Sequence, residues 1–244
     1  MFLFLSGMLS DVKNYNPGRR IAKVVVPYII WTFIYTVMNS YKIVDNIPLL
    51  FIKNLLTGKS AAIMYYIFVY CELTILMPLI DKLAKSKYKY LGFLITPIEI
   101  IFVRLIPLIM GWEFSTHINT IIGISCVGWF IYYYIGYILG NNIVQIKIKT
   151  STCFYLLCIS IMLQFAEGFW YLSMGVANCG TQLKLSSILS GIFYVILAFR
   201  FIQLEKGVEL KFLYLLGNYS FAIYFSHLAI MKILEKIPYY TEYI

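Results

Sequence analysis

The chain has 244 residues, of which 61% are hydrophobic, 18% aromatic and 13% charged, and its mean hydropathy is +0.80. A soluble domain carries about 45–50% apolar and about 25% charged residues, so this composition excludes a cytosolic enzyme, a disordered chain and a secreted disulfide scaffold. The formal net charge of +9 gathers in short segments between apolar runs. Helical membrane proteins arrange their cations in this way, and it points to no nucleic-acid partner.

The pattern predicts an all-α polytopic bundle in a single membrane-embedded domain over 1–244, with about seven full spans plus a partial first helix. The partial helix covers 1–10, about 15 Å or half a bilayer, and is expected to be the end of a longer helix. Full spans follow at 22–40, 61–81, 91–110, 121–140, 151–168, 184–203 and 213–234. Helices are the expected form because isolated strands leave backbone groups unsatisfied in lipid. Between the first two full spans, Ile47 to Leu56 is apolar apart from Lys53 and Asn54. It is too short to cross, so an interfacial or re-entrant helix is expected there, broken by Gly58 and Ser60.

The basic residues alternate from loop to loop. One set holds Lys13, Arg19, Arg20 and Lys23; then Lys82, Lys85, Lys87 and Lys89; then Lys147 and Lys149; then Arg200, Lys206 and Lys211. The sparser set is Lys42, Lys53, Lys59, Lys184, Lys232 and Lys236. The richer set is expected on the cytoplasmic side. Cys71, Cys126, Cys153, Cys158 and Cys179 are scattered and odd in number, which argues against a disulfide framework or a metal site.

Ionisable groups at mid-membrane cost about 2.5–3.5 kcal/mol each on insertion scales and tend to face an interior cavity. Glu72, Glu99, Arg104 and His227 lie in the middle third of their spans, and Glu167 nearer the outer end of its own. Glu99 and Arg104 stand about 140° apart on a straight helix, so each is expected to find a partner elsewhere, Glu72 with Arg104 being one option. Pro97 and Pro107 bracket them and are expected to bend the helix. The polar set either fixes helix packing or forms a track for substrate or proton. His227 is either a structural hydrogen-bonding group or a general base near neutral pH. Arg19, Arg20 and Lys23 open a helix, where cations and free N–H groups suit a phosphate; orientation signalling alone would also account for them. Gly136 and Gly140 form a GxxxG, whose ordinary role is close helix packing. No GxSxG, HExxH or Walker pattern is present.

Several runs resemble a family. Phe4-Leu-Ser-Gly-Met-Leu9, then Arg19-Arg-Ile-Ala-Lys23 leading to Pro27-Tyr-Ile-Ile-Trp31, is similar to the FxxSGxxL helix end, basic RxxR loop and proline-aromatic helix of the acyltransferase-3 family of integral-membrane acyltransferases. Tyr65 to Leu73, closing at Pro78-Leu79, resembles its aromatic-rich helix. Gly128-Trp-Phe130 to Gly136-Tyr-Ile-Leu-Gly140 resembles its FxxGxxxG helix, and Leu216-Gly-Asn-Tyr-Ser220 to His227 its LGxxSxxIYxxH motif.

The resemblance implies transfer of an acyl group, most often acetyl, from acyl-CoA (acetyl-CoA) as co-substrate to a hydroxyl of a surface-glycan acceptor. The setting would be the bacterial cytoplasmic (inner) membrane, with lipid around the protein and no bound cofactor or metal. Arg20 and Lys23 fall on the two basic positions of RxxR and would hold donor phosphates, with Arg19 assisting; Lys23 replaces an arginine and lacks its bidentate fork. His227 falls on the closing histidine and becomes the candidate catalytic base. The family's first helix, with its arginine and histidine, and its last span have no counterpart, so pieces are expected to be missing at both ends. Ile63 stands near the place of a further family histidine. Two other readings stay open: a polysaccharide or lipid-linked sugar translocator, and a non-catalytic fragment.

Overall fold

The computed structural model describes residues 2–12, 15–40, 46–112, 114–144, 148–176, 179–181, 183–204 and 211–235, without the side chains of 116, 202–204 and 211–218. Lys13, Lys42, Lys147, Lys206 and Lys236 therefore lie outside the described residues, as do the side chains of Lys211 and of Leu216 to Asn218. Among the described residues the chain is helical, with no strand.

The helices in chain order are α1 (Phe2–Met8), α2 (Pro17–Ser40), α3 (Ile47–Thr57), α4 (Tyr65–Lys85), α5 (Ile95–Ile100), α6 (Ile106–Met110), α7 (Thr116–Ile124), α8 (Phe130–Gly140), α9 (Thr150–Ser173), α10 (Leu185–Leu204) and α11 (Lys211–Leu234). Among the described residues, three segments are long and apolar enough to cross a membrane: Pro17–Ser40, His117–Gly140 and Thr150–Ser173. Shorter apolar helices cover Ile47–Thr57, Leu185–Phe201 and Tyr219–Leu234.

Two of the expected spans are not continuous α-helices. The first, 91–110, runs through a 3-10 turn (Lys89–Phe93), α5, a π turn (Ile101–Leu105) and α6. Pro107 has no N–H for the carbonyl of Val103, so the ladder must reset around it. The reset appears as a wide turn closed by the Ile106 N–H on the Ile101 carbonyl. The second, 121–140, is cut where Ser125 turns extended, at φ −68° and ψ 143°. A single 3-10 turn (Val127–Trp129) then leads into α8.

The chain folds into two compact units, one of Met1–Asn16 with Glu72–Lys206 and one of Pro17–Cys71 with Gly207–Ile244. In the first unit, Phe4, Ile100, Ile131, Ile135, Leu139, Ile188 and Val195 form the core. Helix α1 lies against α8 at backbone contact. A methyl group added to Gly136 would stand 2.0 Å from the Phe4 carbonyl oxygen; on Gly140 it would stand 2.2 Å from that of Met8, and on Gly7 2.1 Å from that of Tyr133. The GxxxG thus does the packing expected of it, with α1 as its partner.

In the second unit, Val24, Tyr28, Tyr35, Met64, Ile67, Phe225 and Ala229 form the core. Helix α3 has no buried residue, as suits an element too short to span. The Asn46 side chain caps its start by accepting from the Leu49 N–H at 3.1 Å. Gly58, at φ +65°, ends it in the left-handed conformation that glycine adopts without a steric penalty. Tyr28 ties α3 to α2 by donating its hydroxyl to the Leu55 carbonyl at 2.7 Å.

Candidate functional site

A cavity of about 410 Å³ opens in the first unit where the two interrupted segments meet. The π turn and α5 contribute Glu99, Val103 and Arg104. Helix α7 and the break after it contribute Asn119, Ser125, Gly128 and Trp129, and the segment before α10 contributes Thr181 and Leu183. Irregular backbone in an apolar segment is tolerated where it lines a cavity, and π turns recur at functional sites.

Each of the polar residues singled out from the sequence has a definite place. Arg104 donates through Nη1 to the Leu183 carbonyl at 2.7 Å and to the Thr181 hydroxyl. Its guanidinium lies 4.6 Å above the Tyr171 ring. Glu72 accepts from the Cys126 N–H at 2.7 Å, so Glu72 and Arg104 find different partners. The Glu72 bond satisfies an N–H at the start of the turn that the helix break exposes. Thr96 holds the other side of that turn, donating to the Val127 carbonyl at 2.7 Å and accepting from the Ile131 N–H at 3.1 Å.

Glu99 differs from the others. Its Oε2 is buried and meets no hydrogen-bonding group among the described residues. It stands where a Gly128 methyl group would come within 2.8 Å, so glycine leaves room for the carboxylate. Glu99 and Arg104 were expected on well-separated faces, yet both line this cavity. The wide turn between them is the reason, because hydrogen bonds five residues apart bring such positions towards one face.

Glu167 lies outside the cavity lining and has a local function. Its carboxylate accepts from the Leu185 N–H at 3.2 Å, from the Ser186 N–H at 2.9 Å and from the Ser186 hydroxyl. It therefore neutralises the positive N-terminal end of α10.

The second unit carries the remaining candidates. His227 is half-buried on α11, with Nδ1 3.2 Å from the Ile223 carbonyl oxygen. That turn of α11 is held by Tyr35, which is fully buried. The Tyr35 hydroxyl donates to the Phe225 carbonyl at 2.6 Å and accepts from the Ala229 N–H at 3.1 Å. Trp31 stacks on Phe225 with centroids 6.4 Å apart, and Tyr224 donates to the Ile63 carbonyl.

Arg19 and Arg20 lie in the first turn of α2, and Lys23 one turn on. Spacings of three and four residues put both arginines on Lys23's side of the helix. Arg19 and Lys23 are exposed and Arg20 is half-buried. No acidic residue stands in that first turn, so the cations add to the positive end of the helix dipole instead of opposing it.

The model of the acyltransferase-3 family, described as an acyltransferase domain, matches residues 1–240. The chain belongs to the acyltransferase-3 family. It is a membrane acyltransferase in general class, as its sequence motifs led one to expect. No curated protein and no solved structure matches the chain.

In this acyltransferase-3 chain, sequence reasoning found Glu99 and Arg104 but missed Asn119, Ser125, Trp129 and Thr181. It read 121–140 as one uninterrupted span. The available signal was the run of small residues Gly123, Ser125 and Gly128 inside an apolar stretch. Thr181 carried no signal, because only the fold brings that segment to Arg104.

Proposed function

We propose that this chain transfers an acyl group, acetyl in the first instance, from acyl-CoA to a hydroxyl of a surface or exopolysaccharide sugar. In this reading it sits in a bacterial cytoplasmic membrane with about seven spans and works as one membrane-embedded domain. The observation that carries the reading is the setting of His227. When Nδ1–H donates to the Ile223 carbonyl, Nε2 keeps the lone pair that a general base needs. Nε2 then takes the sugar hydroxyl's proton as the oxygen attacks the thioester carbonyl. The carbon–sulfur bond breaks, and the departing CoA thiolate takes up the proton. Arg19, Arg20 and Lys23 hold the CoA phosphates, supported by the positive end of α2.

The test follows labelled acetyl from acetyl-CoA into membrane glycan. His227→Gln is expected to lower the transfer rate by about 100-fold or more with CoA affinity unchanged. Arg20→Ala is expected to weaken CoA binding instead. The translocator reading also has an observation in its favour, since broken helices around a polar cavity are a transporter device. A wild-type protein that transfers no label, in cells where deletion stops glycan export, would decide for it.

A further inference from the structure

We infer that the cavity of the first unit holds one sugar ring of the acceptor, with a ring hydroxyl donating to the Glu99 carboxylate and the ring face against Trp129. This deepens the acyl-transfer reading and rests on it for what the sugar belongs to; the pocket itself stands on its own geometry.

Charge selects the ligand class. The cavity contains one carboxylate, Glu99, and one guanidinium, Arg104. A cation would be repelled by the guanidinium, whereas a neutral polyhydroxyl compound meets no such penalty and can hydrogen-bond to the Glu99 carboxyl in either protonation state. Both Nη1 protons of Arg104 are already directed at Thr181 and Leu183, which fixes the guanidinium as part of the wall. The Glu99 carboxylate lines the cavity, with Oε2 sealed in the wall and unpartnered among the described residues, so the group keeps hydrogen-bonding capacity for a guest. A hydroxyl meets that capacity without bringing a charge.

The walls fit the same guest. Trp129 lines the cavity, and an indole π face, negative at its centre, suits the weakly positive C–H bonds on one side of a pyranose. The Asn119 side chain spends one N–H on the Phe114 carbonyl at 3.1 Å, which leaves its second N–H and its carbonyl oxygen for a second hydroxyl. A volume of about 410 Å³ lies within the usual range for small-ligand pockets, about 300–1,000 Å³.

The probe is a set of tritiated oligosaccharides released from the surface glycan of the cells that make the protein. Retention is measured on purified protein in detergent, with acyl-CoA affinity as the control for folding. Glu99→Gln and Trp129→Ala are each expected to weaken retention by about tenfold or more. Gly128→Ala should do the same, since its methyl group displaces the carboxylate. Asn119 is exposed, so Asn119→Ala gives a readable few-fold loss even if a buried variant does not fold. Wild-type protein that retains no oligosaccharide overturns the proposal, as does equal retention by folded Glu99→Gln and Asn119→Ala. Failure of the transfer reading looks different: Glu99-dependent retention persists while labelled acetyl never reaches the glycan.

Discussion

Tyr35 shows how one hydroxyl can set the geometry of a distant side chain. Its oxygen bridges the Phe225 carbonyl and the Ala229 N–H, two groups that a helical turn pairs with each other. His227 lies between them. In Tyr35→Phe the two backbone groups still have each other as helical partners, so stability should fall by only about 1 kcal/mol. The turn should nevertheless shift, and His227 with it. The expected result is a fall in kcat with acyl-CoA affinity held, read by acetyl transfer and by CoA binding on the same preparation. A variant with wild-type kcat would reduce Tyr35 to a packing residue. Glu167 makes the contrasting case, a carboxylate with a local and complete set of partners. Glu167→Gln should destabilise the protein by about 1–2 kcal/mol, seen in thermal unfolding in detergent, with CoA affinity unchanged.

At the scale of elements, α1 and α8 depend on the absence of side chains. Gly136→Ala would put a carbon 2.0 Å from the Phe4 carbonyl oxygen. The obstacle is backbone and cannot rotate away, so the helices must separate. The expected cost is about 1–3 kcal/mol or more, visible as lost folded protein in size-exclusion chromatography. Gly123→Ala serves as the control, because nothing stands within 4 Å of its added carbon and alanine favours the helix. That contact was half legible in the sequence. The spacing of Gly136 and Gly140 announced a close neighbour without naming α1. The extent of the short helix α3 was legible in its apolar run and in Gly58, which stops it, while the cap at Asn46 went unread. The breaks that build the cavity were not legible. Pro97 and Pro107 predicted a bend, but whether a helix answers a proline with a kink or a π turn is settled by its neighbours. Ser125 breaks its helix where Glu72 and Thr96, both distant in sequence, supply the hydrogen bonds that the break requires.

At the scale of the molecule, the surface of α9 argues for lipid. Only 11% of its most apolar stretch is buried. Phe154, Tyr155, Met162, Phe165 and Phe169 are all more than half exposed. Apolar surface this continuous is not left in water by a stable monomer. Helices α9 and α10 form an antiparallel pair with chemically distinct ends. At one end Arg200 donates to the Thr150 hydroxyl at 2.9 Å, beside Lys149. At the other, Glu167 caps α10 and the Lys184 ammonium donates to the Cys179 carbonyl at 3.1 Å. The end with Lys149 and Arg200 belongs to the richer basic set and is expected on the cytoplasmic side, which places Cys179 outside. A membrane-impermeant maleimide should therefore modify Cys179 on intact cells and reach Lys149→Cys only after the membrane is opened. The reverse order of labelling would invert α9 and α10 and overturn the assignment of Lys149 and Arg200 to the cytoplasmic side.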